Sequence, residues 1–183
     1  MTPTTPDFDQ AIRGATTNQG QSLFDLSQQA PVLVVFLRHL GCTFCREAVA
    51  DIAKKREQIE ADGTQICFVY MPQQGKDGSE TPEVAERFFA KYGVSDLPRI
   101  ADPAQTLYQA FELRRGSLWQ LFGPGVWWRG FIATVFGRHL VGKLVGDGYQ
   151  MPGVFLLKNG TIKRAFRHKT AGDRPDYCEL ASA

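Results

Sequence analysis

The chain has 183 residues, 43% of them hydrophobic and 22% charged, with a net charge of +2. That is enough for one sizeable core and too little for two, and the near balance of charge removes a global electrostatic case for nucleic-acid binding. Four cysteines are too few for a disulfide scaffold, the opening MTPTTPDFDQ has neither part of a signal peptide, and no apolar run approaches the ~20 residues of a membrane span, so a reducing, cytoplasmic setting is expected.

Residues 1–21 are polar and rich in Thr, Pro and Gln, which predicts a flexible N-terminal segment ahead of one domain over 22–183. Ser22-Leu23-Phe24-Asp25-Leu26 reads equally as an edge strand or as a loop with buried anchors. The unbroken run Val32-Leu33-Val34-Val35-Phe36-Leu37 predicts a strand covered on both faces. It stops at Arg38-His39, a short turn follows, and Cys42-Thr43-Phe44-Cys45 opens a helical pattern. In that helix Cys45, Val49, Ile52 and Ile59 share a face, and Asp51 and Lys55 stand four apart on another. Asp62-Gly63 ends it, the glycine suiting a left-handed cap.

Ile66-Cys67-Phe68-Val69-Tyr70 is a second buried strand, with Cys67 as a core residue. After a polar loop, Thr81 and Pro82 make a cap-and-proline helix start, with Val84, Phe88, Phe89 and Tyr92 as its apolar face. Pro98 to Ala101 is a very short strand, and Asp102-Pro103 repeats the helix-start signal ahead of inward-facing Leu107, Tyr108 and Phe111. Residues 114–148 break the rhythm. They hold all three tryptophans and no acidic residue before Asp147, and Trp128, Phe131, Ile132, Val135 and Phe136 follow a helical period. This Trp-rich insertion reads as an element packed on the domain, as a homodimer face or active-site cover, or as a surface helix at a membrane. Its glycines favour the first two readings. Val154 to Leu157, Asn159-Gly160 and Thr161 to Phe166 form a β-hairpin with a type I′ turn. A short helix fits the tail, with Cys178 exposed. Pro152, at the start of the hairpin, suits an edge position or a cis bond.

The cysteine pair carries the chemistry. A helix N-terminus offers unpaired N–H groups and partial positive charge, both of which favour thiolate over thiol. Arg38 and Arg46 push the same way. A C-x-x-C after a buried strand reads as a redox motif. Two other readings stand beside it: half of a zinc site, for which no second pair is spaced to complete four ligands, and inert buried thiols.

Strand, C-x-x-C, helix, strand, helix, insertion, proline and hairpin follow the order of a thioredoxin fold. FLRHLGCTFCRE, together with Gln150-Met151-Pro152-Gly153-Val154-Phe155 and the Asn159-Gly160 turn, resembles the peroxiredoxin-like, SelL-related branch of the AhpC/TSA superfamily. The resemblance implies an α/β protein, a thioredoxin-like three-layer sandwich with a central mixed sheet. It also implies a thiol-based antioxidant enzyme with Cys42 and Cys45 as redox pair. Peroxiredoxins use the last cysteine of this turn, here Cys45; thioredoxins use the first, here Cys42; this sequence satisfies both templates. Peroxiredoxins also carry an arginine before the strand beginning Gly153, where this chain has Pro152, matching the cis-proline of thioredoxins. Arg38 either substitutes for that arginine or merely ends a strand.

The expected activity is reduction of peroxides or disulfides, with an external thiol as reductant and no cofactor or metal. Cys42, Cys45 and Arg38 would act, with Thr43, His39 and Pro152 in support. His39 reads either as a proton relay or as a surface residue. The competing function is a redox-regulated binding module that uses the basic aromatic insertion for protein or membrane-surface contact.

Overall fold

The computed structural model describes residues 7–72, 82–116, 149–170 and 172–182. In chain order the elements are α1 (Phe8–Gly14), α2 (Leu23–Gln29), β1 (Val32–Phe36), α3 (Thr43–Glu60), β2 (Gln65–Tyr70), α4 (Pro82–Lys91), β3 (Arg99–Ala101), α5 (Thr106–Ala110), β4 (Gly153–Lys158), β5 (Thr161–Arg167) and α6 (Tyr177–Ala181). Among the described residues the strands form one five-stranded sheet in the order β3-β2-β1-β4-β5. β1, β2 and β3 run parallel, while β4 lies antiparallel to β1 and β5 antiparallel to β4.

β1 is the middle strand, and every one of its residues is buried. Its side chains alternate between two cores, as the period of two requires. Leu33 and Val35 join Val49 and Ile52 of α3, Phe88 and Phe89 of α4, and Tyr177 of α6. Val32, Val34 and Phe36 join Ile12 of α1, Leu23 and Leu26 of α2, and Tyr108 of α5. The result is the three-layer α/β sandwich with a mixed sheet. Cys67 lies in the second core and Cys45 in the first, so the sheet separates them. The core reading of Cys67 holds.

Three local expectations change. The Ser22–Leu26 stretch is neither strand nor loop but the start of α2, because the Ser22 hydroxyl accepts the Asp25 N–H at 3.0 Å as an N-cap. Within the segment expected to be flexible, α1 forms and buries Ile12, and Phe8 packs on Phe111 with ring centroids 5.0 Å apart. Helix α5 begins at Thr106 rather than directly after Asp102-Pro103. The Asp102 carboxylate still caps it, accepting the N–H groups of Thr106 at 3.0 Å and Leu107 at 2.8 Å.

The hairpin is as predicted: Asn159 and Gly160 have φ of 50° and 68°, the two positive values a type I′ turn needs. It is tied to α2, since Ser27 accepts the Gly160 N–H at 2.9 Å through its hydroxyl and the Asn159 N–H at 2.8 Å through its carbonyl. The Asp51–Lys55 pair forms at 3.4 Å. Cys178 is half-buried rather than exposed, with its sulfur 3.4 Å from Gln58 Oε1. The Thr81 cap and most of the Trp-rich insertion lie outside the described residues. Where that insertion leaves and rejoins the domain, Arg115 and Gln150 pair as an antiparallel bridge.

β1 meets its neighbours in a register that sets up the next turn. Phe36 stands opposite Val69 on one side and Gly153 on the other. The buried Tyr108 hydroxyl donates to the carbonyls of Leu37 and Val69, fixing the chain one residue before Arg38. Tyr108→Phe leaves the Leu37 carbonyl without this donor, so the expected cost is about 1–3 kcal/mol. Urea unfolding of the two proteins measures it.

Candidate active site

The site forms where β1 runs out. Four residues, Arg38 to Gly41, reverse the chain, and the Cys42 N–H donates to the His39 carbonyl at 3.0 Å. Cys42 is the N-cap residue of α3, with no side-chain capping bond of its own. Its sulfur therefore sits where the first N–H groups of the helix are unsatisfied. Cys45 is one turn further on, facing the core.

Both sulfurs are buried, but their surroundings push the two thiols in opposite directions. Arg38 reaches both: its backbone N–H donates to Cys45 Sγ at 3.2 Å, and its guanidinium Nη1 lies 3.7 Å from Cys42 Sγ. The Cys42 thiol is pulled below the ordinary thiol value. A hydrogen bond from the Cys45 thiol has the largest influence, burial opposes it, and Arg38 and the N–H groups of Cys45 and Phe44 add to it. The Cys45 thiol is pushed well up, first by burial and then by Cys42. The surroundings therefore favour negative charge on Cys42 over Cys45.

Arg38, directly after β1, is 6% exposed. His39 is 5% exposed, so it is not a surface residue. Burial first, then Arg38 and Arg46, lower its imidazole to about 4, and it is neutral at physiological pH. Thr43, the first residue of α3, is buried between the cysteines. Pro152 enters β4 through a trans bond, as no described peptide bond is cis. Of the two readings of Pro152, an edge position or a cis bond, the cis one is overturned. The trans form is the default for X–Pro, and here the extended chain leads straight into β4.

A small cleft opens beside Cys45. Arg38, Phe44 and Pro152 line it, together with His168, Asp173 and Arg174. The space available to a water-sized molecule is about 20 Å³, enough for one water. The structure thus brings Arg38, Cys45 and Pro152 to one cleft, with Cys42 against the Arg38 guanidinium, and adds residues that the sequence reading did not select. Arg174 donates to the Phe44 carbonyl at 3.2 Å and pairs with Glu47 at 2.6 Å, clamping the first turn of α3. His168 is half-buried, its N–H donates to the Pro152 carbonyl at 3.4 Å, and its ring stands edge-on to Phe166 at 5.1 Å. No local sequence signal marks either residue, since each acts on partners distant in the chain.

Sheet, helices and cysteine turn define a thioredoxin-fold protein with a dithiol at the start of the helix that follows its central strand. A family model described as AhpC/TSA antioxidant enzyme matches residues 51–172, more than half of the chain, and the chain belongs to that family. The match begins after Cys45, so membership rests on the body of the domain and not on the cysteine pair. Peroxiredoxin-like 2A of Xenopus tropicalis is 24% identical over 161 residues, covering 87% of this chain and 65% of the frog protein. A thioredoxin-like protein of Arabidopsis thaliana, AAED1, described as chloroplastic, is 24% identical over 175 residues, covering 87% of this chain and 64% of its own length. The chain thus spans a little under two thirds of these relatives.

Among solved structures, a bacterioferritin comigratory protein of Xanthomonas campestris superposes with a TM-score of 0.55 at 15% identity, covering 84% of this chain and 79% of its own. A secreted disulfide oxidoreductase of Mycobacterium tuberculosis gives 0.53 at 14%, covering 94% and 95%. These two establish the thioredoxin-like fold. Family membership supports a redox function. No described helix is long and apolar enough to cross a membrane.

The two depressed histidines make stability fall in acid. His39 and His168 are both lowered to about 4 from 6.5, chiefly by burial, so below pH 6.5 the unfolded chain binds protons that the folded chain refuses. The histidine contribution to stability is therefore full above about 6.5, declines as pH drops towards about 4, and levels off below that. Urea midpoints across this range should show the decline, and His39→Asn should flatten part of it.

Proposed function

We propose that the chain is a thiol–disulfide oxidoreductase in which Cys42 is the nucleophile and Cys45 the resolving thiol. The observation that carries this reading is the asymmetry of the pair: the guanidinium of Arg38 and the first N–H groups of α3 favour charge on Cys42, while Cys45 is buried with its proton. The Cys42 thiolate attacks one sulfur of a substrate disulfide, forming a mixed disulfide and expelling the other sulfur as a thiol. Cys45 then loses its proton and attacks the Cys42 sulfur. The substrate leaves fully reduced by two electrons, and the protein holds a Cys42–Cys45 disulfide. An external thiol reductant reverses the change.

Peroxide is the second oxidant this site suits. Attack on an O–O bond leaves sulfenic acid on Cys42 and releases water or an alcohol, and Cys45 condenses with the sulfenic acid, releasing water. Disulfide exchange is preferred because Pro152, not an arginine, precedes β4, so the cation at the nucleophile is Arg38 from the turn itself. Thr43, His39 and Pro152 are proposed to hold the turn in shape, with His39 neutral.

Alkylation by iodoacetamide, mapped by mass spectrometry across pH, tests the assignment. Cys42 should label first, with a rate that is half-maximal below the ordinary thiol range, and Arg38→Met should move that midpoint upward. Cys42→Ser should abolish turnover with a disulfide substrate, and Cys45→Ser should trap the mixed disulfide. First labelling of Cys45 would reverse the two roles.

A further inference from the structure

Resolution needs a proton acceptor. The Cys45 thiol is buried and holds its proton firmly, yet it must become a thiolate to attack the mixed disulfide. The groups around it are poor acceptors. Arg38 and Arg174 are cations, and Tyr177 is buried. Asp173 is occupied, accepting the N–H groups of Lys169 at 2.6 Å and Thr170 at 2.9 Å.

His168 differs from these. It lines the same cleft as Cys45, and its Nδ1 is buried with no hydrogen-bond partner among the described residues. The bond from its backbone to Pro152 and the edge contact of its ring with Phe166 hold the residue where it lines the cleft. We propose that His168 accepts the proton of Cys45 during resolution, across a cleft with room for one water molecule. This inference rests on the dithiol reading above. The balance is simple: Cys45 gives H⁺ to His168, the Cys45 thiolate bonds to the Cys42 sulfur, the Cys42–substrate S–S bond breaks, and the departing thiolate takes a proton from the imidazolium or from water.

The surroundings set the pH at which this can work. Burial lowers the imidazole, the Asp173 carboxylate and the Pro152 carbonyl oppose that, and Arg174 reinforces it. Arg167 and Lys169 flank it in the chain, and on its other side a second cleft brings Glu112, Arg114 and Arg115 near. The balance leaves the ring neutral down to about pH 4, the form that can take a proton.

The test uses the aromatic disulfide DTNB as substrate, in a Cys178→Ser background, followed by stopped-flow absorbance. The first equivalent of aromatic thiolate reports attack by Cys42, and the second reports resolution by Cys45. His168→Gln should leave the first step unchanged and slow the second by roughly 10²-fold, the range of a single acid–base group. In the parent the second step should fall only as pH drops towards about 4. In the variant it should climb about tenfold per pH unit, as expected when hydroxide replaces the base, and added imidazole should restore part of the loss in His168→Gly. A second step with unchanged rate and pH profile overturns the proposal, as does equal slowing of both steps, which would mark a structural role. If the parent releases no second equivalent, or Cys42→Ser still releases the first at full rate, the dithiol reading itself fails and takes this inference with it.

Discussion

Arg38 is a charged side chain held almost entirely away from water. A buried guanidinium costs several kcal/mol unless the protein supplies compensating negative charge and hydrogen-bond acceptors. Here one of its nitrogens points at the Cys42 sulfur, so ionising that thiol lowers the cost of burying the arginine, and burying the arginine lowers the cost of ionising the thiol. The reactivity proposed for Cys42 and the stability of the turn are thus two aspects of one interaction. The turn is rigid enough to maintain it because Tyr108 holds the Leu37 carbonyl from below and the Arg38 N–H is used by Cys45.

Burial on both faces of β1 makes this geometry possible. The strand ends deep in the molecule and not at its rim, so a turn leaving it begins in a dry environment. The antiparallel partner β4 starts opposite the point where β1 stops, and Pro152 comes to the cleft without any contact in sequence. The return strand β5 ends at Arg167, which places His168 next to Pro152. The segment leading to α6 then carries Arg174 across the first turn of α3. Three stretches of chain, each more than a hundred residues from the cysteines in sequence, converge on one helix start.

Much of this was legible in the residues. β1, α3 and the hairpin carry local signals: an unbroken apolar run, a face of Cys45, Val49, Ile52 and Ile59, and an Asn-Gly turn. The short helices were harder. Seven-residue helices such as α1 and α2 are marginal in isolation and owe their existence to packing. The bond from the Asp25 N–H to Ser22 that starts α2 is not announced by an apolar pattern this short. At the site, the cysteine pair and Arg38 could be named, but their order of action could not. Which sulfur meets the guanidinium and which faces the core depends on how the turn folds back, and that is not a matter of spacing. His168 and Arg174 were invisible because their roles depend on partners that only the sheet topology supplies.

The bridge between Arg115 and Gln150 gives the domain a port. The chain departs and returns at neighbouring points, held by the Gln150 side chain, which donates to the Leu113 carbonyl at 2.9 Å. Closing a longer loop between such anchors costs only about 0.6 kcal/mol for each doubling of its length. The stretch between them can therefore be exchanged, lengthened or shortened during evolution or by design while the sheet keeps its register. The return point lies two residues before Pro152, which lines the cysteine cleft. The same frame could then acquire new substrate preferences without altering its sulfur chemistry.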